Sequence, residues 1–79
     1  ERPRHLVIIG GGGVGTELCQ AFRLLGSEVT LVTQGRLLSQ EDPALTAVIK
    51  QHLETQGVRV LENTRVLRFG GEYDQLMVD

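Results

Sequence analysis

A glycine-rich stretch near the start of the chain holds the residues whose spacing is best suited to chemistry. Gly10, Gly12 and Gly15 match the spacing G-x-G-x-x-G, with an apolar run at 6–9 before them and a helical pattern after them. The spacing alone is a weak signal, but it gains weight from the strand before it, the helix after it and a second strand about 20 residues on. In that context the stretch predicts a site for the diphosphate of a dinucleotide.

Each of the three glycines has its own physical reason. Gly10 can adopt the backbone angles of a tight strand-to-helix turn, which most side chains forbid. A diphosphate must approach the backbone closely at Gly12, and Gly15 lets the first helical turn press against the sheet. The free N–H groups at the helix start then face the anion, and the helix dipole favours its negative charge. The alternative is a glycine turn that binds nothing.

The end of the second predicted strand, Thr33 and Gln34, lacks the acid that usually reads the ribose hydroxyls of NAD. Without that acid a 2′-phosphate is not repelled, and Arg36 could pair with the phosphate as a fork. These residues therefore favour NADP over NAD. The alternative is that Arg36 is only a solvated loop charge, and Gln34 could hydrogen-bond the ribose of either cofactor.

Glu17 is the one carboxylate expected near the reactive end of the cofactor. We expect it in the first turn of the first helix, where the helix dipole favours a negative charge, and we expect it to point past the diphosphate. No residue of the chain is predicted to be catalytic by itself, and no metal site is predicted. The predicted cofactor-binding residues are Gly10, Gly11, Gly12, Gly13, Val14, Gly15, Glu17, Thr33, Gln34 and Arg36.

Hydrophobic patterning predicts the elements that position these residues: a small Rossmann-like β-α-β-α-β parallel sheet with a C-terminal β-hairpin or meander over one side. The strands are expected at 5–9, 28–33 and 58–61, and the tail strands at 64–69 and 75–78. The first helix is expected over about 14–25, ended by Gly26, with an apolar face of Val14, Leu18, Ala21, Phe22 and Leu25. The second is expected between Asp42 as N-cap and Gly57, with an apolar face of Leu45, Val48, Ile49 and Leu53.

Composition narrows the function classes. The 79 residues allow one small domain, 1–79, and the net charge of −2 argues against a nucleic-acid surface or a polybasic membrane patch. The chain shows no apolar run long enough to cross a bilayer and no visible signal peptide, but these absences say little about the parent protein, which we predict to be cytoplasmic. Because the chain begins without Met, we expect an excised internal segment of a larger protein. Cys19 is expected to be half-buried, and His52 to pack at the edge of the apolar face.

The chain resembles the pyridine-nucleotide-binding domain of the FAD-dependent pyridine nucleotide-disulfide oxidoreductases. The resemblance covers essentially the whole chain and rests on the stretches 7–18, 26–32, 37–38, 41–43 and 57–61. The family contains glutathione reductase, dihydrolipoamide dehydrogenase and mercuric reductase. The stretches 17–22 and 39–43 look closest to the mercuric reductase branch, and dihydrolipoamide dehydrogenase is the next choice.

The resemblance implies a division of labour within a larger, homodimeric parent that also carries FAD-binding and dimerisation domains. This domain would hold NAD(P)H with its nicotinamide against the FAD, which is bound mainly outside the segment. Hydride would pass to the flavin, and electrons then to a disulfide or another acceptor. Glu17 matches the family's glutamate near the nicotinamide and flavin. Gly13 stands where several members carry an aromatic lid, and Cys19 does not match the family's redox cysteines.

Two other function classes stay open at this point. One is a regulatory NAD(P)-sensing module without catalysis, and the other is a methyltransferase-type domain that binds an adenosyl cofactor. Both usually keep the acid after the second strand and continue with more β-α units. The predicted hairpin tail therefore favours the flavoenzyme.

Overall fold

A parallel sheet lies at the centre of this computed structural model, which describes residues 4–66 and the backbone of 74–77. The elements within these residues are β1 (His5–Ile9), α1 (Gly13–Leu24), β2 (Glu28–Val32), α2 (Pro43–Thr55), β3 (Arg59–Leu61) and β4 (Asp74–Met77). The four strands form one sheet of order β3-β2-β1-β4, and every pair is parallel. The predicted α/β class and β-α-β-α-β order are confirmed.

The core lies around the two central strands. Ile8 of β1 and Leu31 of β2 stand opposite each other in the register and are both fully buried. Burying an aliphatic side chain of this size is worth about 1.5–3 kcal/mol, so this pair anchors the sheet. The core cluster consists of Leu6, Ile8, Cys19, Val29, Leu31, Leu37, Leu53, Val58 and Val60.

The apolar face predicted for α1 is only partly right. Leu18 and Phe22 pack against the core as expected, but Val14 and Leu25 are 59% and 57% exposed. Ala21 is exposed as well. The buried positions are the small residues Gly15, Thr16 and Cys19. Small side chains let the helix axis lie close to the sheet, so the inward stripe is rotated away from the bulkier residues of the predicted face.

The apolar face predicted for α2 also needs correction. Leu53 is buried and Ile49 packs on the core, but Leu45 and Val48 are 47% and 64% exposed. Thr46 is buried in their place, and its Oγ1 donates to the carbonyl of Leu38 at 3.4 Å. The residues at 46, 49 and 53 share one helical stripe, so the periodicity fits a rotated face equally well.

Two further expectations for single residues are corrected. Cys19 is completely buried rather than half-buried, and this burial raises the pKa of its thiol to about 12. His52 is exposed, so its predicted packing role is wrong. It lies on the solvent side of α2 because the inward stripe contains Leu53 and Ile49 instead.

The predicted helix ends are confirmed. Asp42 is the N-cap of α2, its Oδ1 accepts a hydrogen bond from the Ala44 amide at 2.7 Å, and Pro43 is the first helical residue. Gly26 and Gly57 follow the two helices with φ of 94° and 97°, a left-handed conformation that glycine adopts without a Cβ penalty.

The tail departs from the predicted hairpin or meander over one side of the sheet. β4 instead continues the sheet beside β1, in parallel, with Leu6 opposite Asp74 and Ile9 opposite Met77. β2 occupies only one side of β1, and the backbone groups on its other side need a partner, which β4 supplies. Residues 64–66 of the predicted first tail strand are not in a strand. The rest of that strand and the loop after it, 67–73, lie outside the described residues.

Candidate functional site

An open cleft of about 650 Å³ lies at the carboxyl edge of the sheet, between the β1–α1 junction and the loop that follows β2. This volume is within the range of small-molecule and cofactor sites. In open α/β sheets, ligands bind in the crevice beyond the carboxyl ends of the strands. The cleft is lined by Gly11, Gly12, Gly13, Thr16, Glu17, Thr33, Arg36, Leu38, Ser39, Gln40, Glu41 and Ile49.

The first wall of the cleft is the glycine-rich junction, which forms where the sequence predicts it. Gly10 has a φ of 130°, and its amide donates to the carbonyl of Val32 at 2.9 Å, which carries the β1–β2 ladder one residue beyond β1. Gly12 is the N-cap of α1. Its carbonyl accepts from the Thr16 amide at 3.1 Å and from Thr16 Oγ1 at 3.0 Å.

The N-terminus of α1 therefore opens into the cleft. Thr16 is the first residue whose amide bonds back to the N-cap carbonyl, so the amides of Gly13, Val14 and Gly15 are the donors that a helix start leaves without an intrahelical acceptor. Among the described residues no side chain caps this helix. Unpaired amides and the positive end of a helix dipole attract an anion.

Gly11 has a role that sequence reasoning did not separate from its neighbours. A Cβ at this position would lie 2.7 Å from Thr33 Oγ1 and 2.9 Å from Thr33 Cβ, closer than real contacts allow. Gly11 thus lets the junction pack on the end of β2. At Gly13, by contrast, a Cβ would meet nothing within 4 Å. The signal for this difference is absent from the sequence, because Gly11 and Thr33 are distant along the chain.

The second wall of the cleft is the loop at 33–42, and it is attached to the first. The Leu38 amide donates to the carbonyl of Gly11 at 2.8 Å, with Leu38 in a left-handed conformation at φ 49°. Leu37 beside it is completely buried. The two walls therefore hold each other through the backbone.

Arg36 is half-buried within this loop. Its Nη2 donates to the carbonyls of Ser39 and Glu41 at 3.0 and 3.3 Å. Its Nη1 is buried and has no hydrogen-bond partner in the described part of the chain. Arg36 is therefore not simply a solvated loop charge, because it holds the loop through two main-chain carbonyls.

Glu62, directly after β3, joins the loop to α2. Its Oε1 accepts from Lys50 Nζ at 2.8 Å, and its Oε2 accepts from the Leu37 amide at 2.8 Å. The Lys50 hydrogen bond and then the Leu37 amide hold the pKa of the Glu62 carboxyl below its ordinary value, and the nearby Arg36 charge lowers it further. The same hydrogen bond raises the pKa of Lys50.

The structure brings most of the predicted binding residues to the cleft. Gly11, Gly12, Gly13, Glu17, Thr33 and Arg36 line it. Gly10 and the buried Gly15 shape the junction behind the lining, while Val14 and Gln34 are exposed and outside it.

Glu17 needs one correction. Because α1 begins at Gly13, Glu17 lies in the second helical turn and not in the first, so the dipole argument made for it is wrong. Glu17 lines the cleft, and the expectation that it points past a diphosphate stays a prediction.

Sequence reasoning missed the rest of the lining: Thr16, Leu38, Ser39, Gln40, Glu41 and Ile49. For Thr16 the signal was present, because a hydroxyl four residues after Gly12 can bond to its carbonyl. For the loop residues it was not, since their place depends on the hydrogen bond between Leu38 and Gly11.

Two other features of the described residues bear on function. They contain no group of three His, Cys, Asp or Glu side chains placed to hold a metal ion. Neither helix found among them is long and apolar enough to cross a membrane.

Comparison with known proteins identifies the family to which this chain belongs. Residues 5–78 match the family model described as pyridine nucleotide-disulphide oxidoreductase. The chain belongs to this family. The family's name includes a pyridine nucleotide, and the resemblance deduced from the sequence is confirmed.

The relatives include the two kinds of enzyme named above. The chain is 39% identical over 79 residues to a mercuric reductase from Shewanella putrefaciens, a match that covers 100% of this chain and 14% of that protein. It is 38% identical over 77 residues to a dihydrolipoyl dehydrogenase from Thermus scotoductus, covering 96% of this chain and 17% of that protein.

Among solved structures, the fold matches the Cu(II) complex of the HOCl-induced flavoprotein disulfide reductase RclA from Escherichia coli. The TM-score is 0.87 at 29% identity, over 99% of this chain and 21% of that one. The chain thus spans about a sixth of the length of the curated relatives it matches. These relatives are oxidoreductases, and RclA is a flavoprotein.

Proposed function

We propose that residues 1–79 form the domain of a longer flavoenzyme that binds NAD(P)H and presents its nicotinamide to FAD. The observation that carries this proposal is the open N-terminus of α1 at the glycine junction, facing the cleft. A helix start without a side-chain cap supplies several amide donors to one anion. Membership of the family supports a pyridine nucleotide as the molecule that carries this anion.

The residues of the cleft divide the work of binding. The amides of Gly13, Val14 and Gly15 donate to the diphosphate, and Gly12 allows it to approach the backbone. Glu17, on the next turn of α1, orients the nicotinamide end, and Arg36 lies on the side of the adenosine ribose. When bound, the nicotinamide supplies a hydride for the flavin, which this chain does not itself hold.

NADP is the cofactor that we propose to bind more tightly. Thr33 stands where NAD-binding sites usually carry an acid, and it is buried against Gly11. Arg36 has a buried Nη1 donor with no partner among the described residues, and a guanidinium pairs well with a phosphate. On the resemblance alone, we also propose that the parent is a cytoplasmic homodimer with FAD-binding and dimerisation domains.

The test uses the full-length protein that carries this chain. Calorimetric titration with NADP⁺ and NAD⁺ measures binding without reducing the flavin, and stopped-flow bleaching of flavin absorbance by NADPH measures hydride transfer. In Gly12→Val the side chain should keep the diphosphate away from the backbone amides. Affinity for both nucleotides should then fall by roughly tenfold to a hundredfold, since a lost charge-assisted hydrogen bond is worth about 1.5–3 kcal/mol. The matched control is Gly35→Ala, because a Cβ at Gly35 meets nothing within 4 Å and Gly35 lies outside the lining.

Three outcomes would separate the alternatives. Unchanged affinity in Gly12→Val would contradict the assignment of the junction. Nucleotide binding without bleaching of a flavin would favour a sensing module. Binding of adenosylmethionine in place of both nucleotides would favour the methyltransferase class.

A further inference from the structure

A carboxylate directly after β3, the strand next to β2, lies close to the place where the expected acid is missing. Glu62 directly follows β3, and β3 pairs with β2 so that Leu61 lies opposite Val32. The pairing continues past the strand ends, because the Thr33 amide donates to the carbonyl of Leu61 at 3.0 Å. Glu62 is therefore the residue after β3 that corresponds to the end of β2.

The backbone keeps Glu62 at this place. The Asn63 amide donates to the carbonyl of Gly35 at 3.0 Å, and the Thr64 amide donates to the carbonyl of Thr33 at 2.9 Å. Together with the bond from Thr33, these contacts attach the segment after β3 to the segment after β2 on both sides of Glu62. The position of the carboxylate beside the loop is thus set by main-chain hydrogen bonds.

Two cations face this one carboxylate. Lys50 Nζ lies 2.8 Å from Glu62 Oε1, in an ion pair whose side chains are 35% and 18% exposed. Arg36, Lys50 and Glu62 also line the same small cavity of about 360 Å³ on the side of α2. Arg36 lines the main cleft as well, so it connects the two spaces. The charge that Arg36 offers to a ligand therefore depends on Glu62 and Lys50 behind it.

We propose that Glu62 and Lys50 determine the choice between NADPH and NADH by acting through Arg36. Glu62 does not touch the cofactor; its negative charge offsets part of the positive charge that Arg36 presents to a 2′-phosphate. Lys50 neutralises Glu62 and so leaves Arg36 available. This inference rests on the proposed function. In it, an acid after β3 takes the place of the acid that is missing after β2, and Lys50 neutralises the charge of that acid.

The proposal predicts opposite effects for the two members of one ion pair. Glu62→Gln should raise the ratio of NADP⁺ to NAD⁺ affinity by roughly three- to tenfold, the effect of one unit charge several ångströms away in a partly solvated site. Lys50→Met should lower the same ratio by a similar factor, because it leaves Glu62 with Arg36 as its remaining cation in this cavity. A purely structural ion pair would shift the ratio in the same direction in both variants, or not at all.

The experiment is a calorimetric titration of the full-length protein and its variants with NADP⁺ and NAD⁺ at constant ionic strength. The matched control is Glu54→Gln, since Glu54 is an exposed acid of α2 that also raises the pKa of Lys50 but lies outside both cavities. It should leave the ratio unchanged. Gln at position 62 keeps an oxygen that accepts from the Leu37 amide, and Lys50→Met retains Glu62 itself. If one variant does not fold, the direction of the shift in the other decides the matter.

The outcomes separate this inference from the proposed function. Opposite shifts in the two variants support it. Equal or same-direction shifts, with the wild type still binding a nucleotide, would overturn the role of Glu62 and leave the proposed function intact. A wild type that binds neither nucleotide would overturn both.

Discussion

The two helices begin at the same edge of the sheet, but their first turns differ in what satisfies the backbone. At α2, Asp42 accepts from the Ala44 amide through its side chain, and Pro43 contributes no amide proton. At α1 the N-cap is Gly12, and the described residues supply no capping side chain. The start of α2 is therefore capped by a side chain of the protein, while the start of α1 has no such cap among the described residues.

The two helix starts differ in whether a side chain uses an amide donor for stability or leaves it open to an anion. A capping side chain stabilises a helix by about 1 kcal/mol relative to Ala, but by only a few tenths of a kcal/mol relative to Gly at the same position. An uncapped helix gives up that stability and gains a place for an anion. On the proposed function, the choice of N-cap residue therefore decides which of the two helix starts binds the diphosphate.

The largest expected effect comes from making the two helix starts alike. Gly12→Asp would let α1 cap itself as α2 does, because Gly12 has φ −84° and ψ −176°, an extended conformation that any residue can adopt. We expect nucleotide affinity to fall by roughly a hundredfold or more, since the carboxylate takes an amide donor and repels the diphosphate. Unfolding free energy should change by only a few tenths of a kcal/mol, as for Gly and Asp at other N-caps.

Calorimetric titration of the full-length protein measures the affinity, and thermal unfolding measures the stability. Gly12→Ser is the control for charge, because it adds a cap without a negative charge and should weaken binding less. A Gly12→Asp variant that binds as well as the wild type would show that the diphosphate does not use this helix start.

The next effect concerns the packing behind the open helix start. Gly11→Ala would place its Cβ 2.7 Å from Thr33 Oγ1, and overpacking of this kind costs about 1–3 kcal/mol. Gly35→Ala, which adds the same methyl group into open space, should cost much less. The thermal unfolding midpoints of the two variants provide the comparison. Equal midpoints would mean that the junction does not pack tightly on β2.

Removing the cap of α2 should give a smaller and purely structural effect. Asp42→Ala should destabilise the first turn of α2 by about 1 kcal/mol, or roughly fivefold faster hydrogen exchange there. Asp42→Asn should keep the cap. Nucleotide affinity should stay the same in both variants, because Asp42 lies outside the cleft lining. A large loss of affinity in Asp42→Ala would mean that the start of α2 takes part in binding.

The smallest expected effect is a pH dependence of hydrogen exchange that differs between two neighbouring amides. The Leu37 amide bonds to the Glu62 carboxylate, and the Leu38 amide bonds to the carbonyl of Gly11. Because the pKa of Glu62 is lowered in the fold, its stabilising effect is present above the ordinary glutamate pKa. That effect is lost as pH falls through the lowered value. Hydrogen exchange, corrected for its intrinsic pH dependence, should lose protection at Leu37 but not at Leu38, and Glu62→Gln should abolish the difference.

Much of the fold was predictable because its signals are local. The strand at His5–Ile9, the glycine turn, Asp42 with Pro43, and Gly57 each depend on residues close together in sequence. The glycine junction of the candidate site follows from the same local signals.

What could not be predicted depends on contacts between distant residues. The faces of α1 and α2 are rotated because small residues such as Gly15 and Thr46 pack inward, and hydrophobic periodicity gives these residues little weight. β4 pairs with β1 across the sheet, which no local pattern distinguishes from a hairpin. The second wall of the cleft depends on the Leu38–Gly11 and Leu37–Glu62 bonds for the same reason.

The most direct test of the open helix start is a crystal structure of the full-length protein in complex with NADP⁺ or NAD⁺. We expect diphosphate oxygens within about 3.2 Å of the amide nitrogens of residues 13–15, the usual limit for an N–H···O hydrogen bond. The capped start of α2 should contact no phosphate of the diphosphate. A diphosphate bound away from the β1–α1 junction, or at the start of α2, would contradict the account.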